Sequence, residues 1–286
     1  MPERPDLEYV VPRLHAALNG ATLTGLRVKK PIVLRVAVEG DPAALLAGRS
    51  IAGVARRAHF VLFALSGAPP LEMVIAPMLA GRFTILARGE KSPADLAVAF
   101  ALEDGRELRY LDDVQMGKVY LIARGDWARV PGLAKIGLDV LGPAFTRDAF
   151  RAIAKKRRDQ AKVFLMDKSA LDAMGNAYAD EVLWAARVHP KAWVSKLDEA
   201  TMDRLHDAIV EVLERARAEI ERRQPPLHEK LRDFLKVRGK PGEPCPRCGD
   251  KLRRAGVHGH DAIFCPTCQP DARKSSVVDW KKISGP

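Results

Sequence analysis

Four cysteines, Cys245, Cys248, Cys265 and Cys268, stand near the end of the chain as two C-x-x-C pairs, C-P-R-C and C-P-T-C, and they are the only cysteines in it. Each pair makes a tight knuckle, and the interval between the pairs has the length of a β-hairpin. Four thiolates can therefore converge on one tetrahedral metal, zinc above all. Four sulfur ligands leave no open coordination position, so the expected role is structural, with one zinc ion folding a small finger. The alternatives are two disulfides or four free thiols. With no cysteine elsewhere, a disulfide-stapled secreted protein is not expected. No apolar run reaches the length of a membrane span, and the N-terminus lacks the basic-then-apolar pattern of a signal peptide. The expectation is a cytoplasmic protein with no membrane partner.

The finger region is also strongly basic from Lys230 onward, in a chain of 286 residues with a formal net charge of +11. A rigid finger carrying much of the excess positive charge suggests a nucleic-acid backbone as partner. Charge alone does not separate DNA from RNA or an anionic surface.

From residue 22 to about 128, short apolar and β-branched stretches recur between breaks rich in Gly, Pro and Asp. They include Thr22–Thr24, Ile32–Val36, Phe60–Phe63, Met73–Ile75, Arg82–Leu86, Leu96–Phe100, Leu108–Leu111 and Val119–Ile122. Strands at this spacing predict a sandwich or barrel. Before them, Leu7, Val10, Val11, Leu14 and Leu18 lie on one face of a helix. From Pro131 to about Arg223 the pattern is helical, with a very basic run from Phe150 to Gln160. A long amphipathic stretch from Leu205 to Ile220 is expected to end at Pro225-Pro226. The implied fold class is α+β and multidomain: an N-terminal β-sandwich or barrel (1–128), a helical domain (129–229) and a four-cysteine finger (230–286).

Three segments carry a family resemblance: the start Met1-Pro2-Glu3-Arg4-Pro5-Asp6-Leu7-Glu8, the central Gly175-Asn176-Ala177-Tyr178-Ala179-Asp180-Glu181 with Val188-His189-Pro190 behind it, and Gly239–Pro244 leading into Cys245. Together they resemble the formamidopyrimidine-DNA glycosylase / endonuclease VIII family of base-excision repair enzymes, collinearly over nearly the whole chain. The resemblance implies a β-sandwich, a helix–two-turns–helix domain and a zinc finger, with DNA crossing between two lobes. It also implies a monomer acting on damaged DNA, duplex or single-stranded.

By that resemblance Pro2, freed of Met1, is the nucleophile of a glycosylase with abasic-site lyase activity. A terminal amine has a reference pKa of about 7.7–8.0, against about 10.4 for lysine, so far more of it is neutral near pH 7.5. Glu3 is the general acid–base beside it, and Asp6 stands where the family usually carries Glu. The plain alternative for both carboxylates is a favourable interaction with a helix dipole. Lys162 and Asn176 are the implied phosphate ligands, Asn176 also being a candidate helix cap and Lys162 a candidate solvated surface charge.

Four departures bear on substrate choice. His59 occupies the position of a family lysine, and a histidine is mostly neutral at pH 7.5. His260, with His258 nearby, occupies the position of the finger arginine. Leu79, Gln115 and Met116 correspond to the residues that fill the gap left by a flipped base, without the usual Arg-Phe pair. The segment between Leu231–Phe234 and the finger is short, whereas family members that recognise 8-oxoguanine carry a longer loop there. A working enzyme with altered lesion preference is the favoured reading. A non-catalytic protein that binds damaged or abasic DNA is the second, and an RNA- or ribosome-associated zinc ribbon, in which Pro2-Glu3 has no role, is the third.

Overall fold

The computed structural model describes residues 2–172 and 174–271. The basic stretch beyond Asp271 noted above lies outside the described residues. The chain divides into two compact units, Met1–Ile136 with Glu214–Leu231, and Gly137–Leu213 with Arg232–Pro286.

The first unit opens with helix α1 (Arg4–Leu18). Nine strands and a short helix follow: β1 (Leu23–Val28), β2 (Leu34–Val36), α2 (Pro42–Leu46), β3 (Ile51–Arg57), β4 (Phe60–Leu65), β5 (Leu71–Ala76), β6 (Arg82–Ala87), β7 (Leu96–Leu102), β8 (Arg106–Leu111) and β9 (Lys118–Ala123). They form two sheets, β1-β7-β8-β6 and β2-β9-β5-β4-β3, antiparallel except for the β2–β9 pair. Phe63 of β4 meets Phe83 of β6 at 6.5 Å between ring centroids, which joins the two layers. The register sets Phe63 opposite Met73 and Leu62 opposite Val74. Side chains alternate faces along a strand, so Phe60, Leu62, Val74 and Ala76 point the other way. There they pack on Val130 and Leu133 beyond the last strand. Both faces of β4 and β5 are thus covered, which is why these strands read as continuous apolar runs. Burying each such side chain stabilises the sandwich by roughly 1.5–3 kcal/mol.

The buried face of α1, Leu7, Val10, Val11, Leu14 and Leu18, is the one its periodicity predicts. The helix lies along β3, where His15 Nδ1 accepts from the Val54 backbone N–H at 3.1 Å. Strand β3 escapes a sequence reading because Ile51–Arg57 is rich in small and charged residues. The expected strand over Ile32–Val36 begins inside a 3-10 turn, Pro31–Val33, and only Leu34–Val36 pairs. Pro31 has no N–H to give a ladder and fixes its own φ.

The second unit carries α3 (Arg147–Lys155), α4 (Ala161–Met166), α5 (Asn176–Ala185), the first part of α6 (Glu199–Arg223) and the finger hairpin β10 (Arg253–Val257) and β11 (His260–Phe264). The helical expectation from Pro131 is corrected: regular helix begins at Arg147, where Thr146 Oγ1 accepts from the Ala149 N–H at 3.2 Å. The α6 helix stops at Arg223, before the proline pair, because Gln224 takes a left-handed φ of 46°. The basic run after Phe150 is partly neutralised within the unit. Arg151 pairs with Asp203 and Glu199, and Arg157 with Asp159 and Asp167. In the first unit, Tyr9 Oη donates to the Pro225 carbonyl at 2.7 Å and Arg13 grips Glu221 at 2.8 and 3.2 Å. Among the described residues no helix is long and apolar enough to cross a membrane.

Candidate functional site

The N-terminal turn is built around a reciprocal cap. The Glu3 N–H donates to Asp6 Oδ2 at 2.7 Å, and the Asp6 N–H is satisfied by the Glu3 side chain. Such a capping box satisfies two orphan donors of the first helical turn at once. Pro2, Glu3 and Asp6 are all buried. A crevice of about 10 Å³ bordered by Pro2, Asp6, Gly81, Arg82 and Lys230 has room for one water and not for a nucleobase.

Glu8 extends this turn sideways. Its Oε1 forms ion pairs with Arg4, Nε at 2.7 Å, and Arg56, Nε at 3.2 Å. Arg56 also donates to the Ala58 carbonyl at 2.7 Å, inside the two-residue turn Ala58-His59 that joins β3 to β4. The chain Arg4–Glu8–Arg56 therefore runs from the residue after Glu3 to the carbonyl of the residue before His59. His59 is only 8% exposed and its ring lies 4.1 Å from that of Phe60. It is not a freely solvated side chain.

Leu79 sits on one loop and Gln115 and Met116 on another, the second fixed by a buried acid and the first reached by the Tyr110 hydroxyl, which donates to the Pro77 carbonyl at 3.4 Å. Asp112 accepts from the N–H groups of Gln115 at 2.9 Å and Gly117 at 2.7 Å. The Tyr110 hydroxyl lies beside it, its ionisation pushed far up by burial and by the Asp112 charge. A Cβ on Gly117 would fall 1.8 Å from Tyr110 Oη, and one on Gly81 would fall 2.2 Å from the Pro77 carbonyl oxygen, so both loops need glycine there. Gln115 is held at φ 59° and Met78 at φ 46°. On this rigid base Leu79 is 56% exposed and Met116 45%. Val114, which sequence reasoning does not select, is 50% exposed beside them. Displaying apolar side chains to solvent forgoes their burial energy, which is the mark of a contact surface.

In the second unit, Lys162 is fully buried. Its Nζ donates to Asp180 Oδ1 at 2.6 Å and to the Asn176 carbonyl at 2.8 Å. This corrects the expectation of a surface phosphate ligand: the ammonium is spent on holding α4 to the start of α5. Arg238 reaches the other Asp180 oxygen at 2.8 Å and Asp261 Oδ1 at 3.1 Å. Asn176 Nδ2 donates to the same Asp261 oxygen at 2.7 Å. Burial opposes the Asp261 charge, but Asn176 and Arg238 outweigh it and hold its pKa below the ordinary carboxylate value. The next residue of α5, Glu181, accepts the backbone N–H groups of Lys236, Val237 and Arg238, each at 2.8 Å. Asp261, Glu181 and Arg238 escape the sequence reading. The one available signal is that Glu181 closes the Asn-Ala-Tyr-Ala-Asp-Glu segment.

The four cysteine sulfurs all lie within 4.8 Å of one another, with Cys248–Cys265 at 3.4 Å and Cys245–Cys268 at 4.0 Å. None is disulfide-bonded. A tetrahedron of Zn–S bonds of about 2.3 Å sets its sulfurs roughly 3.8 Å apart, so the cluster fits a structural zinc. Burial works against the Cys245 thiolate. N–H groups of Trp184, Arg247 and Cys248 overcome it and bring the thiol down to about 6. The Trp184 indole belongs to α5 and donates to Cys245 Sγ at 3.3 Å. Gln269, also buried, accepts from the Cys265 N–H and donates to the Val188 carbonyl. The finger is thus clamped to the helices from both knuckles. His258 and His260 stand exposed at its hairpin tip, where His258 and Gly259 adopt φ of 45° and 80°, a two-residue turn that needs left-handed backbone.

Three family models match the chain: the formamidopyrimidine-DNA glycosylase N-terminal domain over 1–119, the formamidopyrimidine-DNA glycosylase H2TH domain over 136–224, and a zinc finger found in FPG and IleRS over 242–270. A formamidopyrimidine-DNA glycosylase of Pelotomaculum thermopropionicum is 31% identical, covering 94% of this chain and 99% of its own length. The crystal structure of MutM (Fpg) from Thermus thermophilus covers 95% of this chain and all of its own, at 31% identity and a TM-score of 0.80. A complex between Lactococcus lactis Fpg and DNA containing an abasic site covers 94% of this chain and all of its own, at 26% identity and a TM-score of 0.84. With a sandwich, a helical unit and a four-cysteine finger in the same order, the chain belongs to the formamidopyrimidine-DNA glycosylase family.

Proposed function

We propose that the chain is a base-excision repair glycosylase with abasic-site lyase activity, working on damaged DNA through a Schiff base on Pro2. The observation that carries this reading is the N-terminal turn, with Pro2 beside a buried Glu3 whose backbone is pinned by Asp6 at 2.7 Å. While Met1 is attached, the Pro2 nitrogen is an amide without a nucleophilic lone pair. Removal of Met1 makes it a secondary amine. That amine attacks the sugar C1′, forming N–C1′ as the glycosidic bond breaks and the base departs with a proton. Glu3 delivers a proton to O4′ as C1′–O4′ opens, which leaves an iminium. The iminium acidifies C2′. Loss of that proton expels the 3′ phosphate by β-elimination, and water then releases the sugar fragment from Pro2.

Asp6 acts here as a positioning residue. Its carboxylate is committed to the Glu3 N–H, so the missing methylene relative to Glu is no handicap to that task. His59 serves as a packed side chain against Phe60 in a turn that Arg56 ties to α1. Leu79, Gln115, Met116 and Val114 form the wedge that fills a flipped base's place. Asn176 and the exposed His258 and His260 contact phosphates. One zinc per chain, held by the four cysteines, supplies a closed structural site. The protein works as a monomer.

The short segment ahead of the finger argues against 8-oxoguanine as the best substrate. The segment between Leu231 and Cys245 is short, and its backbone at 236–238 is held down by Glu181. One observation favours a second reading, a non-catalytic clamp on damaged DNA: a buried His59 stands where a lysine would supply charge. Incubating the Met1-processed protein with abasic-site duplex and borohydride separates the two. A reduced adduct formed by the wild type and absent in Pro2→Gly supports the lyase. Tight binding with no adduct establishes the clamp.

A further inference from the structure

The donors around the start of α5 are already occupied by an anion, and that anion belongs to the chain itself. Asn176 Nδ2 and Arg238 Nη2 converge on one oxygen of Asp261, at 2.7 and 3.1 Å. Lys162, Asp180, Arg238 and Asp261 form a neutral string of two cations and two anions. Lys162 and Asp180 are fully buried, whereas the Asp261 side chain is 40% exposed and that of Arg238 22%. Removing the Asp261 charge would leave the Lys162–Asp180–Arg238 string with one net positive charge, and a guanidinium N–H and an amide donor directed at one point. That donor set matches a phosphate oxygen.

Asp261 lies on β11, one residue after His260 and three after His258, directly across the hairpin from Gly256. The same contact that fills the anion position therefore latches the basic hairpin to α5. We propose that Asp261 is an internal surrogate for a DNA phosphate, which must be displaced from Asn176 and Arg238 before a backbone phosphate can take its place. This rests on the DNA-binding reading above and adds an element of affinity control. Exchange of carboxylate for phosphate offsets most of the gain from the new contact. Weak, non-damaged sites would fail to open the latch, whereas a lesion held by the wedge and Pro2 would open it.

The test uses the full-length, zinc-loaded protein and a duplex with a tetrahydrofuran abasic analogue, its Kd measured by fluorescence anisotropy across a salt series. Asp261→Ala and the near-isosteric Asp261→Asn are compared with wild type, and borohydride trapping on a true abasic site is run in parallel. The expected result is binding about tenfold tighter for both variants at low salt, as suits one charge-assisted contact freed. On an undamaged duplex measured alongside, where the wild-type latch stays shut, the slope of log Kd against log salt should steepen by about 0.9 in both variants, the signature of one additional neutralised phosphate. Adding Asn176→Ala should cancel the gain. A purely structural latch would weaken binding or leave it alone and would not change the slope. Wild type that binds and traps, with variants no tighter and slopes unchanged, overturns the surrogate alone. No binding by any of the proteins overturns the DNA reading and this inference together.

Discussion

The Glu3 N–H and the Asp6 carboxylate close a 2.7 Å hydrogen bond across the first turn of α1, so the shortened acid is structurally committed to its neighbour. A side chain that reads in sequence as a shorter version of a catalytic glutamate is thus a helix cap that also orients the residue next to Pro2.

Replacing Asp6 with Ala should cost about 1 kcal/mol of stability, the usual value of a lost cap. It should also slow adduct formation about tenfold through misplacement of Glu3. Asp6→Asn keeps an acceptor oxygen and should stay near wild type in both urea denaturation and trapping rate. If Asp6→Asn falls as far as Asp6→Ala, the charge rather than the hydrogen bond is what matters, and the positioning role is wrong.

Lys162→Met leaves Asp180 buried with Arg238 as its one remaining cation among the described residues. Breaking one side of a buried pair typically costs about 3–5 kcal/mol. The expected outcome is a loss of that order in denaturant unfolding, with the salt slope of DNA binding by the folded fraction unchanged. A slope lower by about 0.9 would instead return Lys162 to the DNA surface as a phosphate ligand.

What can be read from the sequence follows the range of each interaction. The cysteine cluster and the apolar face of α1 are local patterns, and both stand in the structure as their spacing implies. Strand β3 is hidden because Ala52, Gly53 and Ala55 give no β-branched signal. Lys162 misleads because its charge is visible in sequence while its burial is not. Its partner Asp180 lies on the next helix, and Arg238, which shares that partner, comes from the approach to the finger. Asp261 is invisible for the same reason, as its contact to Asn176 spans 85 residues. The Ala58-His59 turn shows the converse. The substitution at His59 is legible, but its removal from solvent is a property of packing against Phe60.

Gly117→Ala should disturb the wedge without touching Pro2. Its Cβ would land 1.8 Å from the Tyr110 hydroxyl and 2.8 Å from Asp112 Oδ2, so the loop carrying Val114, Gln115 and Met116 has to shift. Overpacking of this kind costs about 1–3 kcal/mol. Affinity for a duplex with a lesion should fall while affinity for undamaged duplex holds, because only the former uses the wedge. Adding Tyr110→Phe removes the nearest clashing atom and should recover part of both losses. Equal loss on the two duplexes would point to general unfolding instead.

Trp184→Phe addresses the metal centre through its hydrogen bond. The indole N–H donates to Cys245 Sγ at 3.3 Å and helps bring that thiol down to about 6. Phenylalanine keeps the packing on the cluster of Val237, Leu252 and Ile263 but has no donor. Outer-shell hydrogen bonds of this kind are worth about 10–100-fold in metal affinity. The variant should therefore still fold with one zinc per chain yet surrender it to a chelator at a concentration at least about tenfold lower than wild type requires. Stripping zinc entirely, from either protein, should abolish the cooperative unfolding of the unit that contains the finger, because such a site supplies folding free energy as well as geometry. An unchanged chelator midpoint for Trp184→Phe would mean that the cysteine cage alone sets the affinity, and that Trp184 is there only to pack α5 against the finger.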